Sequence, residues 1–213
     1  TGGRLSRGRE ALASISLAAR DRLALALIAS TLLLSLCLSQ MTATLPLDMK
    51  ELGYSPDLYG YVIFWNGILL TVFQIGAGRL IARHRATKVL VLAAAVFALG
   101  FGMLTVLFGH LALIVLCVTV WTMGEMLDVP VRNAVAGALA KPGSRGRYLG
   151  LVSAALTIGY CIGPLLGGWA LQTAGREVLW LGTAACALLA TLIRLGLKTR
   201  VDRRVSHVLT PAS

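Results

Sequence analysis

Glu125, Asp128 and Arg132 share the stretch WTMGEMLDVPVRN, Trp121 to Asn133, inside one of the most apolar parts of the chain. On a helix Glu125 and Asp128 are three residues apart and Asp128 and Arg132 four, so all three lie on adjacent faces. A desolvated carboxylate there is a candidate proton carrier. Alternatively it is a latch that pairs with cations of the basic loops, Arg83 or Arg145, or it is a direct substrate contact. Gln40, Asn66 and Trp121 are the candidates for a substrate cavity. Trp121 offers an aromatic wall to lipophilic or cationic ligands, with plain packing as its alternative. For Gln40 and Asn66 the preferred alternative is an interhelical hydrogen bond.

Other chemistry is missing from the sequence. There is no HExxH, no GxSxG and no paired His–acid cluster, which argues against an enzyme. Cys37, Cys117, Cys161 and Cys186 each sit inside an apolar run without metal-site spacing and read as small buried hydrophobes. No metal and no cofactor is expected, only a proton gradient.

These residues must be positioned by membrane-spanning helices. The 213 residues are 57% hydrophobic and 14% charged, with a mean hydropathy of +0.79, against roughly 25% charged in a soluble domain. The net charge of +11 lies in clusters between long apolar runs, a pattern of membrane topology rather than of nucleic-acid binding. A span needs about 20 apolar residues, which predicts six, over about 23–47, 58–82, 89–108, 111–131, 149–171 and 178–197. The turn between the third and fourth is placed at Phe108 to His110. The flanks are a basic link over 1–22 and a basic tail over 198–213.

Arg79, Arg83, Arg85 and Lys88 lie between spans two and three, and Lys141, Arg145 and Arg147 between four and five. Arg194, Lys198, Arg200, Arg203 and Arg204 are read as following span six, while the opposite links hold only Lys50 and Arg176. The positive-inside rule then makes both ends of the chain cytoplasmic, in a plasma membrane. The chain starts at Thr1 without a signal-peptide pattern and is read as a fragment or processed piece.

Spans one, two, four and five carry polar side chains, whereas three and six are almost bare. Bare spans face lipid and polar ones face protein or a watery cavity. The order, polar, polar, bare, twice over, suggests an all-α integral membrane fold of six helices in a 3+3 inverted repeat, an arrangement that recurs in secondary transporters. Gly159, Gly163 and Gly167 recur every four residues and read as a close helix contact, with Pro164 as a possible bend.

The stretch Gly124 to Trp169 resembles the C-terminal half of a major facilitator superfamily transporter, closest to the drug:proton antiporter branch. The resemblance rests on Gly124, Glu125, Pro130, Pro142, Arg145, Gly146, Tyr148, Gly150, Gly159, Gly163, Pro164, Gly167 and Gly168. GRLIARHRATK, Gly78 to Lys88, is similar to a degenerate copy of a family loop in which Ala82 replaces the acid, Arg85 the glycine and Ala86 an arginine. The resemblance implies half of a twelve-helix fold. Its partners would be the bilayer, a small molecule and a missing N-terminal six-helix half, with no nucleic acid. Spans one and four would line the cavity, two and five meet the absent half, and three and six face lipid.

Glu125 lies about 22 Å along span four from Leu111, near the basic turn, a depth that favours the latch over the proton carrier. Asp128 and Arg132 are expected as partly hydrated boundary residues. The function expected is export of small lipophilic or drug-like compounds by proton antiport. The alternatives are a metabolite facilitator or symporter, or a non-transporting six-span sensor or scaffold.

Overall fold

A computed structural model describes residues 21–107 and 109–209. Residues 1–20 of the expected link, Phe108 of the expected turn and 210–213 of the expected tail lie outside the described residues. The described chain is all helix: α1 (Arg22–Ala43), α2 (Leu45–Glu51), α3 (Pro56–Ala82), α4 (Ala86–Leu107), α5 (Leu111–Leu139) and α6 (Arg145–Leu209).

α6 has 65 residues, far longer than one crossing requires. It breaks at Gly175, whose φ of 83° and ψ of 176° lie where a side chain would be strained. Two arms result, 145–174 and 176–209, and with α1, α3, α4 and α5 they make six apolar rods. The first rod ends at Ala43, not at Leu47 as expected. Pro46 supplies no N–H to continue the helix. Thr44 closes α1 by donating its N–H and its hydroxyl to the Gln40 carbonyl, and α2 begins anew.

Contacts at the two ends show the alternation of direction. At one end, Asp21 before α1 accepts from Arg204 of the second arm and from Tyr148 of the first, and Arg204 also donates to the Leu139 carbonyl at the end of α5. Thr87, at the start of α4, donates to Asp202. At the other end, Asp48 of α2 meets Arg176 just past the Gly175 break, and Tyr54 donates to the Gly109 carbonyl.

Small residues set the closest approaches. A Cβ on Gly159, Gly163 or Gly167 would lie 1.8 Å from the Ser35 Oγ, Ser39 Oγ or Gln40 Oε1 respectively, so α1 and the first arm run parallel in near backbone contact. Gly100 against the Trp121 backbone and Gly124 against the Ala93 carbonyl, 2.8 and 2.9 Å from a would-be Cβ, do the same for the antiparallel pair α4 and α5. Two apolar clusters fill the interior. One is built on Phe97, Phe101, Trp121 and Trp180 and the other on Val89, Val131, Val135 and Val201.

Exposure departs from the expected order. Among the described side chains of α3 only Val62, Asn66 and Leu69 are buried, while Tyr61, Phe64, Val72 and Ile75 are open. The bare span α4 instead buries Ala93, Ala94, Phe97, Phe101 and Leu104, because a span without polar groups serves equally well as core. The second arm keeps an exposed stripe of Leu181, Leu188, Leu192 and Leu195. It also continues as helix past Lys198, with Val201 buried and Asp202 and Arg204 docked, where a simple tail was expected.

Candidate functional site

Asp128 is at the centre of a buried charge cluster. It sits on the face of α5 that turns toward α4 and the second arm of α6, where its residue exposure is 1%. Arg132, one turn on, donates to its Oδ2. Arg194 of the second arm donates to Oδ1 at 2.5 Å, and also to the Leu90 carbonyl of α4 and the Ser30 hydroxyl of α1. Four helices, α1, α4, α5 and the second arm, thus meet around the Arg194 guanidinium. Burial of two cations needs this pairing, since an unpaired charge in a dry interior is costly, although Arg132 Nε and Arg194 Nη2 remain without a hydrogen-bond partner.

This corrects two expectations. Asp128 and Arg132 are not partly hydrated boundary residues, and Arg194 does not belong to the basic flank after span six. The ion pairing itself explains the depth: it lets three charges sit where one alone would have to reach water.

Glu125, on the same helix, is half-buried and faces another way. The Asn66 side chain of α3 lies beside it, and Asp128 and Arg132 lie within electrostatic range. Tyr160 of the first arm feels the charges of Glu125 and Arg132 and is 44% exposed. Asn66 Nδ2 also donates to the Thr122 hydroxyl at 2.7 Å, which fixes α3 against α5. The Glu125 Oε2 atom has no hydrogen-bond partner. Glu125 thus has Asn66 of α3 beside it and Tyr160 of the first arm within electrostatic range, with one buried carboxylate oxygen unpartnered.

The expected latch partners are elsewhere. Arg83 is exposed in the turn before α4, and Arg145 is exposed with its guanidinium against Gly137. Neither has an ion pair to Glu125 among the described residues. Of the cavity candidates, only Asn66 lies beside Glu125. Trp121 is fully buried, stacked on Phe101 at 4.6 Å between centroids, and does not form a cavity wall. Gln40 is buried and spent on helix contacts: its amide donates to the Gly163 carbonyl at 2.9 Å and its Oε1 accepts from Thr44. Gly159, Gly163 and Gly167 face α1, and Pro164 lies inside a helix whose non-helical residue is Gly175.

Two groups escaped the sequence reading. Arg194 was visible as an arginine with apolar residues on both sides, LLATLIRLGL, but its nearness to Lys198 concealed it. Asp48 is fully buried and accepts from Arg176 Nε and Trp180 Nε1, each at 2.7 Å. Its only local signal is an acid between two leucine-rich segments.

Three comparisons bear on this arrangement. The family model described as Major Facilitator Superfamily matches residues 22–211. An uncharacterized MFS-type transporter of Bacillus subtilis, YttB, is 28% identical over 172 residues, 80% of this chain and 42% of that protein. Multidrug resistance protein MdtH of Photorhabdus laumondii is 27% identical over 163 residues, covering 76% of this chain and 40% of the relative. The chain thus spans about two-fifths of the length of these relatives. Among solved structures, the peptide transporter POT in complex with sulfate superposes with a TM-score of 0.79 at 16% identity, over 90% of this chain and 41% of that one. The POT family transporter PepTSo gives 0.75 at 14% identity, over 84% and 38%. At such identities the likeness concerns the fold alone.

Proposed function

Because the chain belongs to the major facilitator superfamily, we propose that it acts as one six-helix half, the C-terminal one, of a twelve-helix secondary transporter. The transporter exports small lipophilic compounds in exchange for protons. The single observation supporting the coupling is Glu125 itself, a half-buried carboxylate with an unpartnered oxygen, beside Asn66 of α3 and within electrostatic range of Tyr160 of the first arm. Its neighbours α3 and the first arm of α6 carry large exposed apolar side chains, among them Phe64, Val72, Ile162, Leu165 and Trp169. Those faces suit a second helical half, and Glu125 then lies beside a path between the halves.

The named multidrug relative supports the export reading. The polar, polar, bare order of the rods supports a 3+3 repeat with alternating access. The basic residues gathered at the Asp21–Arg204 end support termini on the cytoplasmic side of the plasma membrane. Since neither Arg83 nor Arg145 reaches Glu125, the carboxylate is the proton site in this proposal rather than a latch.

The test is efflux of a lipophilic dye from vesicles bearing the whole transporter under an imposed pH gradient. Glu125→Gln is expected to abolish the response to the gradient while leaving downhill dye movement. Unchanged gradient-driven efflux would refute the coupling. The chain alone is expected to give no saturable uptake, since half of the path wall is absent.

A further inference from the structure

We infer that the crevice between α1 and the two arms of α6 binds one alkyl chain of a bilayer phospholipid. The crevice has a volume of about 240 Å³ and is lined by, among others, Cys37, Leu166, Val178, Gly182 and Cys186. It lies toward the Gly175 break, on the side away from the Asp21–Arg204 contact.

The packing described above creates the space. The first arm is drawn onto α1 by the Gly163 and Gly167 contacts with Ser39 and Gln40, and so stands away from the second arm. Gly182 then faces open space, since a Cβ there would meet nothing within 4 Å. Polar groups at the crevice are already spent. The Thr183 hydroxyl donates to the Leu179 carbonyl, the Gln40 amide to the Gly163 carbonyl, and the Cys37 thiol to the carbonyls of Leu33 and Thr183. Water would find few partners in such a gap, whereas methylene groups need none.

Continuity selects the occupant. The rim residues Leu166 and Val178 are half exposed, and from Val178 and Gly182 the exposed apolar side of the second arm runs on at helical spacing through Ala185, Leu189 and Leu192. No charged residue interrupts the sequence from Val178 to Ile193. A surface so bare in a membrane-spanning helix is covered by lipid. The crevice is a recess in that surface, so the molecules already covering the stripe are the ones that fill it. The site is independent of the direction of transport and of Glu125.

The test uses the whole transporter in phosphatidylethanolamine and phosphatidylglycerol vesicles. These carry a trace of phosphatidylcholine with a diazirine midway along one chain, and labelled peptides are mapped after irradiation. Residues 178–186 are expected to label more heavily than the open stripe at 188–195. Gly182→Leu is expected to lower the crevice label by about five-fold, because the added side chain takes the space, and to leave the stripe unchanged. Equal labelling of crevice and stripe, or labelling indifferent to Gly182→Leu, overturns the inference. Displacement of the tracer by the efflux dye but not by unlabelled phospholipid also overturns it, in favour of a substrate site. If Gly182→Leu does not fold, single-cysteine variants in detergent serve instead. Added phospholipid should slow maleimide reaction of half-buried Cys186 but not of exposed Cys161, and equal slowing of both refutes the site.

Discussion

Asp128 and Arg194 meet at 2.5 Å across two helices, with side chains exposed by 2% and 0%. Neither could occupy its position without the other. Asp128→Asn leaves two guanidinium groups in the interior with one neutral partner, and breaking such a pair costs about 3–5 kcal/mol. Thermal unfolding in detergent should show a loss of that order for Asp128→Asn and for Arg194→Met alone. The double variant should lose clearly less than the sum. Additive losses would mean that the two residues do not interact.

The glycine face of the first arm makes a second, sharper prediction. Gly163→Leu places a side chain where the Ser39 hydroxyl and the Gln40 amide already are, and α1 must shift or separate. Overpacking of this kind costs about 1–3 kcal/mol. Gly168→Ala, one residue from that face at Gly167, meets nothing within 4 Å and should be neutral or slightly stabilising. Comparing the unfolding temperatures of the two variants checks the register directly.

Arg83 should prove dispensable for whatever Glu125 does. It is exposed, and no ion pair joins it to that carboxylate among the described residues. Arg83→Ala is expected to alter stability by no more than about 0.5 kcal/mol and to leave the response of efflux to an imposed pH gradient unchanged. A loss of that response equal to the loss in Glu125→Gln would restore the latch.

The extended second arm should behave as a fastening at the end where α1 begins. Arg204 joins Asp21 and the Leu139 carbonyl with its side chain 36% exposed, so water screens the pair and its worth is about 1 kcal/mol. Arg204→Ala is therefore expected to change global unfolding little. Hydrogen exchange should nevertheless quicken in the first turn of α1 and over residues 198–204. Exchange identical to that of the unaltered protein would show that the fastening carries no load.

Much of the architecture was readable from apolar run length, because a bilayer imposes one thickness on every span. Six rods, the hairpin of α4 and α5, and the gathering of basic residues at one end follow from that rule. Individual boundaries do not. Pro46 ended the first rod early through a missing N–H, and Gly175 separates two rods by a single non-helical residue with no loop between them. The glycines at 159, 163 and 167 were legible because period four implies a face. Their partners Ser35 and Ser39 were not, since serine in a membrane helix can bond its own backbone and leaves no pattern.

The charged residues were the least legible. Hydropathy treats each arginine as a flank, but Arg194 is inside because Asp128, separated from it in sequence by the whole first arm of α6, is adjacent in space. Trp121 shows the same limit: an aromatic ring suits a cavity wall and a core equally, and only its stack on Phe101 decides.

Three aspartates and their arginines divide the domain along its height. Asp21 with Arg204 closes one end, Asp128 with Arg194 crosses the middle, and Asp48 with Arg176 closes the other. In each pair the arginine belongs to the second arm of α6. That arm is therefore the spine of the body, riveted to α1, to α5 and to α2 at three levels, and a body riveted at three levels does not flex about any one of them. In the proposed transporter, the movement that carries a solute past Glu125 takes place at the faces of α3 and the first arm that no rivet crosses.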